Sequence, residues 1–244
     1  MVGRIVYRQE KGRSGLAVEY LGNLTLLTGV LRVPPGKPPR AAARRLARLE
    51  RQMLWAGAGR VVLPEAFPYA ALLTALRPVE VLPLYRAAAD TLVLAALRRA
   101  GKPPEQGRVA LSGPWLCPEL ERCAQRLCRA VRALRIQVPG EGEAYARRLQ
   151  RQWGLPVLPP DLPADVTAAF GPGGPEQGSV LRLYGPRPET GGLRLWTHRL
   201  ELPRDGGEQL LALLWESGAV KREDLTAVPE PGDDGTAQAR PAGR

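Results

Sequence analysis

Few residues of this chain could do chemistry, and several of them crowd one stretch. In "RVALSGPWLCPELERC", Arg108 to Cys123, Ser112 and Gly113 close an apolar run and Cys117 stands directly before Pro118, where a helix opens. The first N–H groups of a helix have no intrahelical partner, so such a turn suits a small anion. A second turn, "GPGGPEQG", offers Gly171, Gly173 and Gly174, which could admit a ligand close to the backbone or simply release the chain from a sheet. Ser112 lacks the G-x-S-x-G context of a nucleophile elbow and reads as a turn or capping residue. His198, in "LRLWTHRLEL", is the only histidine, which rules out a multi-histidine metal site. Cys117, Cys123 and Cys128 lie six and five residues apart, on different faces of a helix, and do not match zinc spacing. A helix dipole could acidify Cys117, yet it reads as a packed thiol and not a nucleophile. Asp165 reads as a cap or turn residue. No catalytic residue and no metal ligand is assigned.

The elements that would position these turns follow from periodicity. "RIVYR", "LAVEYL" and "LTLLTGVLRV" are strand-like runs, read as a small antiparallel meander. A helix from about Arg40 to Trp55 buries Ala42, Leu46, Leu49, Met53 and Ala56 on one stripe. Arg44, Arg45, Arg48 and Arg51 fall mostly off it, as on a solvated face. "RVVLP", a short helix at 69–76, "VEVLP" and a long helix at 84–100 give a βαβα lobe. The pattern then restarts with "RVALSG", a helix buried through Leu116, Leu120, Ala124, Leu127 and Val131, "LRIQV", a helix at 141–153, "LPVLP" and "ADVTAAFG". "VLRLYG", "LRLWTHRL" and a last helix at 208–216 follow. That helix and "KREDL" resemble the first two helices of a helix-turn-helix, but no recognition helix comes after them. From Pro229 onward apolar residues almost vanish, which predicts disorder.

Composition bounds the partners. The chain has 244 residues, 44% hydrophobic, with a net charge of +11. Only Lys11, Lys37, Lys102 and Lys221 are lysines, so the positive charge is nearly all arginine, as a GC-rich bacterial genome favours. A basic, arginine-rich surface can attract nucleic acid, although charge alone is a weak warrant. An odd cysteine count without CxxC fits a reducing compartment. No apolar stretch reaches about 18 residues, so no membrane partner is expected and the setting reads as cytoplasmic.

From Arg108 to Gly174 the order of runs and turns resembles the nucleotide-binding half of a Rossmann-type dehydrogenase. "RVALSG" stands at the first strand and phosphate turn, and "ADVTAAFG" at the fourth strand. The resemblance implies an α/β fold with a mainly parallel sheet, and ligands at the carboxyl ends of the strands. The turn departs from G-x-G-x-x-G: Pro114 offers no N–H and Trp115 is bulky. Gln137 stands where an acid would meet the ribose, with Glu141 and Glu143 further on. Ordinary NAD(P) binding is therefore not expected, and the cofactor is unknown.

The expected organisation is N-terminal strands with the βαβα lobe over 1–101, a Rossmann-like lobe over 102–228 and a tail over 229–244. The expected function is a Rossmann-like α/β protein that is non-catalytic or takes a small anionic ligand at Ser112, Gly113, Gly171, Gly173 and Gly174. The alternatives are an unusual NAD(P)-type oxidoreductase and a basic RNA- or DNA-associated protein.

Overall fold

The strand with apolar residues on both faces takes an interior place in its sheet. In the computed structural model, which describes residues 1–12, 15–36, 39–154, 156–159, 162–203 and 205–230, Leu24–Arg32 (β3) buries Leu26 and Thr28 as well as Leu27 and Leu31. It lies between Val2–Arg8 (β1) and Gly15–Leu21 (β2), in the order β2-β3-β1, and is continued by Arg60–Val62 (β4) and Arg77–Pro78 (β5). β1 and β3 run parallel, Val2 opposite Leu26 and Arg8 opposite Arg32, and only β2 is antiparallel. The opening strands are thus not a meander. A two-faced apolar strand needs neighbours on both edges, while β2, exposed along nearly its whole length, suits an edge.

Helix α1 (Pro39–Trp55) covers this sheet through Ala42, Leu46, Leu49 and Met53, all at most 1% exposed. Its approach is close at Gly29, where a Cβ would lie 2.6 Å from Leu49 Cδ1. Ala56 falls beyond the helix and is exposed. Glu50, on the same helix and 2% exposed, accepts the N–H groups of Thr74, Ala75 and Leu76 at 3.1–3.2 Å. Those amides are committed to a carboxylate, not to an i−4 carbonyl. The helix expected at 69–76 is accordingly a single 3-10 turn, Ala70–Leu72, and the next strand pairs at Arg77–Pro78, ahead of "VEVLP". The long helix expected at 84–100 is two, α2 (Leu82–Ala87) and α3 (Ala89–Arg99), broken at Ala88.

The described residues fall into two compact units, Met1–Leu84 with Thr197–Leu225, and Tyr85–Trp196 with the chain from Thr226. In the second unit Arg108–Ser112 (β6), Ala133–Gln137 (β7), Val166–Ala169 (β8) and Ser179–Arg182 (β9) are all parallel, in the order β7-β6-β8-β9. "LPVLP" contributes one parallel bridge, Val157 to Leu134, outside β7. In chain order this is 3-2-1-4-5, the Rossmann arrangement. Helices α4 (Pro118–Leu127) and α5 (Gly142–Trp153) make the first two crossovers, and α3 packs on β8 and β9. Pro118 holds the first helical position, where a missing N–H costs nothing.

Among its described residues the crossover from Val157 to β8 contains no helix. Leu158 and Ala164 lie on Ala110 of β6 and Ala133 of β7, residues small enough to let a bare backbone sit on the sheet. Its carbonyls are met by Arg135 of β7, 8% exposed, which donates to Leu158 O at 3.3 Å, Leu162 O at 2.5 Å and Pro159 O. Gln177 assists, its Oε1 accepting from Ala164 N and from Arg135.

The last helix, α6 (Gly207–Glu216), buries Leu210, Leu211, Leu213 and Leu214 in the first unit, with Gln209 accepting from Leu63 N and donating to Val79 O. A 3-10 turn, Arg222–Asp224, and a strand follow it, so no helix-turn-helix forms. Leu193–Thr197 (β10) pairs with Leu225–Pro229 (β11). Pro229 therefore ends a strand, and the tail expected from there lies, from residue 231, outside the described residues.

Asp165 fastens the amino ends of β6 and β8. Its carboxylate accepts from Lys102 Nζ at 2.5 Å, Arg108 N at 2.9 Å and an Arg108 guanidinium N–H at 3.3 Å. Burial pushes this carboxyl up, but the bonds from Lys102 and Arg108 outweigh it and hold the group below its usual value of 3.8. A lowered carboxylate favours the folded state above its unfolded pKa, and that stabilisation is lost as pH falls through the folded value. Asp165→Asn is expected to cost about 2 kcal/mol at pH 7, less than a fully buried pair because both cations are partly exposed. Urea titrations of both proteins should show this gap closing below pH 4. A gap independent of pH would mean that the carboxylate charge contributes nothing.

Candidate functional site

The carboxyl ends of β6, β7 and β8 bring the two glycine turns together. Ser112 ends β6 and pairs in register with Gln137 at the end of β7. Gly174 lies over Ser112, so close that a Cβ would fall 2.6 Å from Ser112 Cβ. Gly171 abuts Pro114, where a Cβ would lie 2.3 Å from Pro114 Cδ. Gly171 is buried, Gly174 half-buried and Gly173 exposed with φ +93°. Close approach at 171 and 174 thus serves the contact of one turn with the other. Gly113, also buried, meets Leu120 Cδ1 and Trp115 O at 3.4 Å from an added Cβ.

Two polar atoms at this rim are buried without a partner among the described residues. They are Ser112 Oγ, on a residue 1% exposed, and Gln137 Oε1. A buried polar atom without a hydrogen bond costs about 1–3 kcal/mol, so adjacent strand ends carrying one each are unusual. Arg86 adds positive charge. Its guanidinium donates to Phe170 O at 2.9 Å and Leu183 O at 2.8 Å, at the ends of β8 and β9. The α4 N-terminus is less open to an anion, since Glu119 and Glu121 occupy its first turn.

The same rim does not fit a dinucleotide pyrophosphate. Gly113 N–H donates to Gln137 O at 3.2 Å, Pro114 has no N–H, and Pro114 fills the space beside Gly171. Gln137 supplies no carboxylate for a ribose.

Cys117 is buried at the cap position of α4 and makes no side-chain cap bond. Burial pushes the Cys123 thiol well up and the Cys128 thiol up, so both are packed groups and not nucleophiles. His198 is exposed. Among the described residues no group of three His, Cys, Asp or Glu could hold a metal, and no helix is long and apolar enough to cross a membrane.

Sequence reading missed Arg86 and gave Gln137 only the role of an absent acid. Arg86 sits 84 residues from Phe170, and no local pattern marks such a contact. Gln137 was within reach, being the residue opposite Ser112 once strand order is assumed.

Parallel strands in this order, with a polar rim at their carboxyl ends, define a Rossmann-like α/β protein. No protein-family model matches the chain, and no curated protein matches it. Among solved structures it is similar to the L-tryptophan dehydrogenase of Nostoc punctiforme, with a TM-score of 0.27 and 17% identity over 61% of this chain and 46% of that one. The chain thus spans under half the length of that enzyme.

Proposed function

We propose that this chain is a non-catalytic, Rossmann-like binding protein that takes a small anionic ligand at the rim of Ser112, Gly113, Gly171, Gly173 and Gly174. The carrying observation is the buried, unpartnered Ser112 Oγ beside the equally unpartnered Gln137 Oε1. A hydroxyl can donate to an anionic oxygen, and the Gln137 carbonyl oxygen can accept from a protonated oxygen on the same group. Arg86 supplies the compensating charge, and Gly174 must shift for the group to enter. Three unpaired thiols agree with a reducing, cytoplasmic setting. The oxidoreductase alternative has little to rest on, because the turn lacks the N–H groups and the acid that a dinucleotide requires.

Calorimetric titration with inorganic phosphate, adenosine monophosphate and NAD tests the reading. Phosphate or the mononucleotide should bind, NAD should not gain from its second phosphate, and Ser112→Val should weaken binding roughly ten- to hundredfold, as loss of one charge-assisted bond implies. Absence of binding by either small anion, or a Ser112→Val variant that binds as well, would overturn it.

A further inference from the structure

The outer face of α1 is cationic to a degree that its packing does not require. At 100° per residue, Arg40, Arg44, Arg48, Arg51 and Trp55 fall within an arc of about 80°, opposite the buried stripe, and span about 22 Å of helix. All four arginines are exposed and Trp55 is 83% exposed. Among the described residues none of the four meets a carboxylate. The only acid on the helix, Glu50, is buried and faces Thr74–Leu76. Several arginines elsewhere do find acids, as Arg122 with Glu119, Arg126 with Asp90 and Arg182 with Glu176, whereas here four on one helix face do not. Like charges three and four residues apart weaken a helix, and nothing in the fold returns that loss.

We propose that this face binds single-stranded nucleic acid. Four guanidinium groups in a row, at steps of about 5–6 Å along the axis, match the successive phosphates of an extended strand. Trp55 stands at the end of the row, where an unpaired base can stack on its ring. A cationic track with an exposed aromatic is the combination that holds single strands without reading sequence. A duplex keeps its bases stacked inside and leaves Trp55 without a partner, and an acidic polypeptide offers no flat ring. The site shares no residue with the strand-end rim.

The test is anisotropy of a fluorescent twelve-nucleotide oligo(U) titrated with the full chain at several salt concentrations. Four phosphate contacts on a single strand predict a slope of log affinity against log salt of about −3, an affinity loss of roughly fiftyfold between 50 and 200 mM. Arg→Gln at positions 40, 44, 48 and 51 should flatten the slope towards zero. Trp55→Ala should leave the slope and weaken binding roughly five- to hundredfold. The wild-type slope is read without any variant, so the result does not hang on the variants folding. A slope near zero, equal affinity for a duplex of the same length or for polyglutamate, or unchanged binding by the four-arginine variant would each overturn the proposal.

Discussion

Arg135→Met is expected to destabilise the second unit by about 2 kcal/mol, with a fall in melting temperature of roughly 4–8 °C. Two effects oppose each other at this position. Removing a buried guanidinium that has no carboxylate partner relieves a desolvation penalty. It also strips a donor from Leu158 O, Pro159 O and Leu162 O; Pro159 O keeps Leu162 N–H at 3.2 Å and Pro159 and Leu162 are exposed, so the buried carbonyl left unmet is that of Leu158, at about 1–3 kcal/mol. The loss outweighs the relief, because the guanidinium was already well hydrogen-bonded. Among its described residues the loop has one internal backbone bond, Leu162 N–H to Pro159 O, and no helical ladder to fall back on. Arg135→Lys should recover little, since one ammonium cannot span three carbonyls as a planar fork does. Urea unfolding with an unchanged m-value and a lowered midpoint is the expected signature. A neutral or stabilising Arg135→Met would mean that desolvation dominates and that the loop is held by Leu158 and Ala164 alone.

Gly178→Ala should be worse, at about 4 kcal/mol or loss of folding of that unit. Gly178 has φ +66°, which alone costs an alanine about 1–2 kcal/mol. Its Cβ would also lie 2.1 Å from Asp165 O and 2.7 Å from Ala164 O, both backbone atoms that cannot swing aside. Relief requires moving the start of β8, where Asp165 fastens Lys102 and Arg108 and accepts Ser179 N–H at 2.9 Å. Gly173→Ala separates the two terms. Gly173 has φ +93° with nothing within 4 Å of an added Cβ, so it should lose only the conformational part. Thermal melts of the two variants therefore compare strain alone with strain plus collision. Equal shifts would show that the backbone around Asp165 yields easily.

Gly178 closes the glycine turn that also suggested a ligand, and Arg135 touches that turn through Gln177. Gln177 at its far end holds Thr167, through Thr167 Oγ1 to Gln177 O at 2.7 Å, as well as Ala164 and Arg135. Much of that turn therefore organises the sheet. What remains for a ligand is the pair of unpartnered atoms at Ser112 and Gln137, whose isolation only three dimensions reveal.

Sequence alone determined what periodicity and turn chemistry govern locally. The stripe of Ala42, Leu46, Leu49 and Met53 is buried as its spacing required, Pro118 opens α4, and "RVALS" and "VTAA" are adjacent parallel strands. Apolar period reports which face must leave water, and that requirement acts within one element. Tertiary structure decided which strands pair and who satisfies the backbone between them. β3 sits between β1 and β2 because it must be covered on both faces and edged on both sides, which no single run announces. The segment at 69–76 goes no further than a 3-10 turn because Glu50, 26 residues before Leu76, takes the amides of Thr74, Ala75 and Leu76. The crossover into β8 is helix-free among its described residues because Arg135 and Gln177 reach its polar groups from elsewhere in the chain. Hydrogen bonds between distant residues carry no period, so they become legible only once the chain has closed on itself.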